Sequence, residues 1–198
     1  MLEGRNIHRV MVLSTKGGCG KTTLSTNLAH YYAAQGEEVL LLDFDAQGSS
    51  SHWLARRDER LPRIHGVEAH RRPTGMTRSW YLRVPDGVQR VVIDTPAAAD
   101  TAQVLELLGL ADTLIIPVLP SDIDIHALTR FLEVLLLRGK VRSRPLRVGI
   151  VANRVRHNTR VFMGLERFLS QVEFPFVARL RESRNYTLAV EQGVGIHH

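Results

Sequence analysis

Residues 14–23 read STKGGCGKTT, with lysines at 16 and 21 and three glycines between them. That composition suits the holding of phosphate. Gly17, Gly18 and Gly20 permit backbone turns that a side chain forbids, so successive N–H groups can point at one anion. Lys21 is placed to reach the β- and γ-phosphates, and the Thr22 hydroxyl can ligate Mg²⁺. Cys19 and Thr23 complete the stretch expected to line a bound nucleotide. One lysine is enough for such a loop, so Lys16 needs its own reason. Two other segments bring carboxylates. DFDAQGS (43–49) puts Asp43 and Asp45 on one side of an ending strand, because strand side chains alternate. VVIDTPA (91–97) places Asp94 after a buried apolar strand, the form of a Walker B carboxylate. Hydrolysis of a phosphoanhydride needs a group that aligns water with the γ-phosphate, and Mg²⁺ needs carboxylate support.

The elements that must position these groups follow from apolar patterning. HRVMVLS (8–14) reads as a strand leading into the glycine loop, and TLSTNLAHYYAAQG (23–36) as a helix with a glycine stop. EEVLLLDFD (37–45), RVVIDTP (90–96), DTLIIPV (112–118) and LRVGIVANR (146–154) read as further buried strands. Residues 122–139 and 160–173 read as amphipathic helices. SSSHWLARRDERLP (49–62) suggests a short helix and RIHGVEAH (63–70) a strand, whereas 71–87 reads as loop or a poor helix. Apolar strands alternating with helices predict an α/β fold: a mostly parallel twisted sheet with helices on both faces. In such sheets ligands bind where the strands' carboxyl ends meet the loops. The glycine loop, Asp43, Asp45 and Asp94 all fall at predicted carboxyl ends.

Bulk properties narrow the class. A chain of 198 residues suits a single domain, 1–198. No apolar run reaches the roughly 18 residues that span a bilayer, and no secretion signal is evident at the amino terminus, so a cytoplasmic location is expected. One cysteine excludes an intramolecular disulfide and any CxxC pair. Charge is uneven: residues 1–137 hold 14 Lys/Arg against 16 Asp/Glu, and residues 138–198 hold 12 against 4. Eleven of those 12 are arginines, which fit phosphate bidentately and point to an acidic partner such as DNA.

With KGGCGKTT, DFDAQGS and VVIDTPA together, the chain resembles the ParA/MinD family of deviant Walker P-loop ATPases over nearly its whole length. The family pattern K-G-G-x-x-K-[ST] accounts for Thr15, where a standard phosphate loop has glycine. The resemblance implies bound ATP and Mg²⁺, slow partner-stimulated hydrolysis, and an ATP-dependent homodimer. It implies that Lys16 crosses to the phosphates of the other subunit, reducing repulsion only when both nucleotides are present. It makes Asp45 the water-positioning residue, Asp43 a support of the Mg²⁺ shell and Asp94 the Walker B carboxylate. Asn153, in VANRV, matches an adenine-contacting asparagine, and 180–196 looks like an arginine-containing segment near the base, with Arg181 a nucleotide candidate.

The branch follows from missing features. EQGVGIHH at the end of the sequence shows no amphipathic membrane helix of the MinD type, so no membrane partner is expected, and no cysteines are available for a shared iron–sulfur cluster. Family members usually continue with a final helix, which the resemblance would lead one to expect after residue 198. The small stand-alone ParA-type proteins remain. These bind nucleoid DNA non-specifically, answer to an adaptor protein on the cargo, and distribute plasmids, chemosensory arrays or microcompartments such as carboxysomes. Arg156, Arg160, Arg181 and Arg184 are the DNA candidates. Two alternatives stand beside this reading: an ATP-binding regulatory switch read by a partner, and a dethiobiotin-synthetase-like ligase.

Overall fold

A computed structural model describes residues 7–71 and 83–197. Most of the stretch 71–87, read above as loop or poor helix, lies outside the described residues. The protein is built on a seven-stranded, all-parallel sheet whose strands lie in the order Ile64–Val67, Val39–Asp43, Arg90–Asp94, His8–Val12, Thr113–Val118, Arg147–Val155 and Phe176–Arg181, and the chain forms two compact units.

The first unit comprises residues 1–11, 22–96 and 184–198. It holds most of β1 (His8–Val12), most of α1 (Lys21–Ala34), β2 (Val39–Asp43), α2 (Ser49–Ala55), β3 (Ile64–Val67), β4 (Arg90–Asp94) and α6 (Asn185–Glu191). All five residues of β2, VLLLD, are buried, as an interior parallel strand covered on both faces requires. β2 pairs in parallel with β3 and with β4, and the second register ends by placing Asp43 opposite Asp94. Ala29 and Ala33 of α1 pack with Val39, Leu41, Trp53, Ile64 and Val92, and Val190 of α6 joins them. Trp53 is 1% exposed and donates its indole N–H to the carbonyl of Val194 at 3.1 Å. That bond ties the carboxyl-terminal stretch to α2. Arg57 adds bonds to the carbonyls of Gly193 and Pro62. Gly193 has φ +66, and a Cβ there would lie 2.6 Å from Arg57 Cα.

The second unit comprises residues 12–21 and 97–183. It holds the phosphate loop, α3 (Thr101–Leu108), β5 (Thr113–Val118), α4 (Asp122–Glu133), β6 (Arg147–Val155), α5 (Arg160–Leu169) and β7 (Phe176–Arg181). β5, β6 and β7 pair in parallel. The helix expected over 122–139 is α-helical to Glu133 and continues as a π-helical turn over Val134–Arg138. A Cβ on Gly139 would meet the Leu135 carbonyl at 2.7 Å, so glycine is needed where that turn ends. Three elements were not anticipated: α6 of the first unit, and α3 and β7 here. α3 starts at a capping box, with the Asp100 side chain accepting from Gln103 N and the Gln103 side chain from Asp100 N. β7 is an edge strand whose exposure alternates, which hides FVARLR among ordinary polar sequence. Among the described residues no helix is long and apolar enough to cross a membrane.

Candidate nucleotide and metal site

The loop after β1 is closed by its own backbone. The carbonyl of Lys16 accepts from Lys21 Nζ at 3.1 Å and from the Cys19 thiol at 3.2 Å. Lys21 is only 6% exposed, and its bond to the Lys16 carbonyl keeps its ammonium inside the loop. Gly18 and Gly20 have φ of +73 and +94, the left-handed region that glycine enters without strain. At Gly20 the reason is doubled, because a Cβ would lie 2.1 Å from Asn153 Nδ2. Asn153 uses that space to donate to the Cys19 carbonyl at 2.8 Å, while its Oδ1 accepts from Arg154 N at 2.9 Å. The residue expected at the adenine therefore braces the phosphate loop. One amide hydrogen and one lone pair of Asn153 stay free for a purine edge. Lys16 behaves differently from Lys21. It is half-buried, and among the described residues its ammonium has no partner. It lines a narrow cleft with Thr15, Pro117, Val118, Leu128 and Asp124. Asp124 is 8% exposed, takes a hydrogen bond from Ser121 Oγ, and keeps Oδ1 buried without a partner. The sequence reading placed Asp124 only within the helix expected over 122–139 and gave it no role.

The carboxylates lie at the ends of β2 and β4. Asp43 Oδ2 accepts from Ser51 N at 2.9 Å and Ser51 Oγ at 2.8 Å, and its Oδ1 from Asp45 N at 3.1 Å. Asp43 thus fixes the first turn of α2 and the loop that carries Asp45. Asp45 accepts from Gln47 N at 3.0 Å, an Asx turn that leaves its second oxygen open. Gly48, with φ +65, lets the chain enter α2 directly afterwards. Asp94 is fully buried; Oδ1 accepts from Ser25 Oγ at 3.1 Å, and Oδ2 has no partner. Its pKa is pushed up to about 7. Burial is the largest cause, the Thr22 hydrogen bond acts against it, the Asp43 carboxylate adds to it, and Ser25 pulls it down again. Ser50 adds a small downward pull although its buried Oγ falls short of full hydrogen-bond geometry.

An orphaned buried carboxylate oxygen with Thr22 and Ser50 hydroxyls nearby is an all-oxygen donor set, which fits a hydrated divalent cation of the Mg²⁺ kind. Helix α1 carries Thr22 and Ser25 one turn apart, so one helix start supplies both hydroxyls that pull the Asp94 pKa down. Sequence reasoning found Thr22 and missed Ser25, Ser50 and Ser51. Serines at helix starts are common capping residues, and nothing local marks these as carboxylate partners.

The basic block divides. Arg156 follows β6, Arg160 opens α5 and Arg181 ends β7, where Val155 is in register with Arg181. Arg138, Lys140, Arg142 and Arg144 precede β6, at its opposite end. Nine residues of strand separate the two groups by about 26 Å. Arg156 is paired with Glu182 and Arg142 with Glu173, so neither is a free cation. Arg184 stands at the N-cap of α6 in the first unit.

Residues 10–196 match the family described as the CobQ/CobB/MinD/ParA nucleotide binding domain. Over 190 residues the chain is 30% identical to "Maintenance of carboxysome distribution protein A" of Halothiobacillus neapolitanus, covering 93% of this chain and 84% of that one. A protein of the same description from Gloeobacter kilaueensis is 41% identical over 137 residues, 69% of this chain and 61% of that one. The structure of apo McdA from Cyanothece superposes with a TM-score of 0.76 at 19% identity, covering 96% of this chain and 92% of that one, a likeness of fold. The phosphate loop, the strand-end carboxylates and these matches agree: the chain belongs to the CobQ/CobB/MinD/ParA nucleotide-binding family.

Proposed function

We propose that this protein is a Mg²⁺- and ATP-dependent ATPase that dimerises around its nucleotides, binds nucleoid DNA without sequence preference in the cytoplasm, and positions an intracellular cargo through an adaptor protein that stimulates slow hydrolysis. The observation that carries the reading is the contrast between the two loop lysines. Lys21 is buried and bonded within the loop, whereas the Lys16 ammonium is held by nothing among the described residues. A cation kept unpaired beside a phosphate site suits a partner charge that arrives from outside the protomer. ATP brings about four negative charges, and two such sites facing each other repel unless a cation is shared across the interface. Pairing then reports nucleotide state.

The remaining residues take consistent roles. The loop N–H groups and Lys21 hold the phosphates, and Thr22 with Asp94 would hold the cation, which supplies charge neutralisation at the transferred phosphoryl group. Asp45, with one oxygen open, positions water; Asp43 holds its loop in place. Asn153 retains the valences to touch adenine. Arg181 and Arg184, both exposed, offer phosphate contacts to DNA, and the curated relatives described as distributing carboxysomes point to a large protein assembly as cargo.

Size-exclusion chromatography with ATP and Mg²⁺ tests the reading. Wild type and Asp45→Ala run as dimers, the latter persistently because hydrolysis is blocked, and Lys16→Ala runs as a monomer. Retention on a random DNA duplex follows the dimer, is far stronger with ATP than ADP, and weakens steeply with salt. Equal DNA retention with either nucleotide, or a dimer that ignores Lys16→Ala, overturns it.

A further inference from the structure

Helix α5 buries Phe162, Leu165 and Leu169. Its opposite face carries Arg160, Met163, Gly164 and Arg167, spaced so that they fall on one stripe, and all four are exposed. Gly164 is the anomaly. A glycine in an exposed helix interior costs up to about 1 kcal/mol relative to alanine. Glycine is otherwise kept for a left-handed turn or for close approach of another part of the chain, and neither applies. Gly164 is not among the glycines with positive φ, and a Cβ built on it meets no heavy atom within 4 Å. Met163 beside it is 52% exposed. The nearby Arg179 and Arg156 are paired with Glu166 and Glu182, whereas Arg160 and Arg167 have no ion-pair partner among the described residues.

We propose that the Arg160–Met163–Gly164–Arg167 stripe of α5 is a docking face for an acidic amphipathic helix of a partner protein. Gly164 lets the two backbones approach closely, Met163 supplies apolar contact that adapts in shape, and Arg160 and Arg167 pair with carboxylates one turn to either side. Charge chooses this occupant. A second copy of the stripe brings arginine against arginine whichever way the helices run. DNA phosphates use the arginines but neither the exposed thioether nor the missing side chain. The inference goes beyond the positioning reading and needs neither nucleotide nor dimer.

Display selection on the full-length protein tests it. Two phage libraries of amphipathic helices of about 18 residues are used, one flanked by Asp/Glu and the other by Lys/Arg. Acidic clones enrich, and their affinity falls at least about tenfold on Gly164→Leu and on Arg167→Glu. Leucine favours helix over glycine, so the thermal midpoint of Gly164→Leu does not drop, and that of Gly164→Ala rises. The proposal is overturned if no acidic clone enriches, if enriched clones bind Gly164→Leu as well as wild type, or if the basic library enriches instead. It is also overturned if Gly164→Leu lowers retention on a random DNA duplex, which assigns the face to nucleic acid. Dimerisation with ATP is measured in parallel on Gly164→Leu and wild type; its failure in both counts against the positioning reading and leaves the docking face untouched.

Discussion

Asp43 and Asp94 end neighbouring strands in direct register, both fully buried, yet their surroundings are opposite. Around Asp43 the protein has spent three donors: two from Ser51 and one from the backbone of Asp45. Around Asp94 it left Oδ2 bare and let burial raise the pKa to about 7. A carboxylate saturated by its own chain is a brace. One kept hungry at a cost in stability is reserved for something that is not protein. The loop repeats the distinction, with Lys21 bonded and Lys16 unheld.

The largest test of this comparison is substitution of the two aspartates one at a time. Asp94→Asn is expected to lower Mg²⁺-dependent ATP turnover on the order of 100-fold or more, since it removes the charge that supports the cation. The unliganded protein should be no less stable for it at pH 8, because an uncompensated buried charge is gone. Asp43→Ala should do the reverse in stability. It strands two backbone N–H groups and a hydroxyl, and urea unfolding should show a loss of about 3 kcal/mol. If Asp94→Asn destabilises as much as Asp43→Ala, the two sites do not differ in kind.

A second comparison lies within the loop. Gly20→Ala must displace Asn153 and strain a backbone at φ +94. About 2 kcal/mol of lost stability is expected, with weakened ATP binding. In an Asn153→Ala background the clash disappears and only the backbone strain remains. Roughly 1 kcal/mol of coupling between the two positions should emerge from the double-mutant cycle. Additive effects would mean that Asn153 does not brace the loop.

Much of this was legible before any coordinates. The interior strands could be read because being covered on both faces forces nearly unbroken apolar runs such as VLLLD, and the phosphate loop because only glycine serves at its positive-φ positions. β7 was illegible for the complementary reason: at the sheet edge its exposure alternates, and FVARLR carries no run to notice. α3 did announce itself, through the capping pair Asp100 and Gln103, and was passed over. What no local pattern could show was which polar groups meet. Ser25 reaches Asp94 across 69 positions of sequence. The arginine-rich third looked like one block because sequence has no direction in space; β6 runs through its middle and sends the cations to opposite ends.

The mildest perturbation, a change of pH, isolates the hungry carboxylate by its protons. The Asp94 pKa is about 7 in the folded protein against 3.8 for the free side chain. Between those values the folded state holds a proton that the unfolded state has released. Stability therefore falls as pH rises through this window, being fully present below the lower value and lost above the upper. Between pH 5.5 and 8, urea unfolding of unliganded wild type should lose about 2 kcal/mol that Asp94→Asn does not lose, the difference cancelling the contributions of every other group. Mg²⁺ with ATP competes for the same oxygen, so its affinity should rise with pH and level off near 7, and the loss of stability should shrink in its presence. A wild-type curve parallel to that of Asp94→Asn would mean that this carboxylate is already ionised at pH 5.5, and that the protein supplies donors to Oδ2 after all.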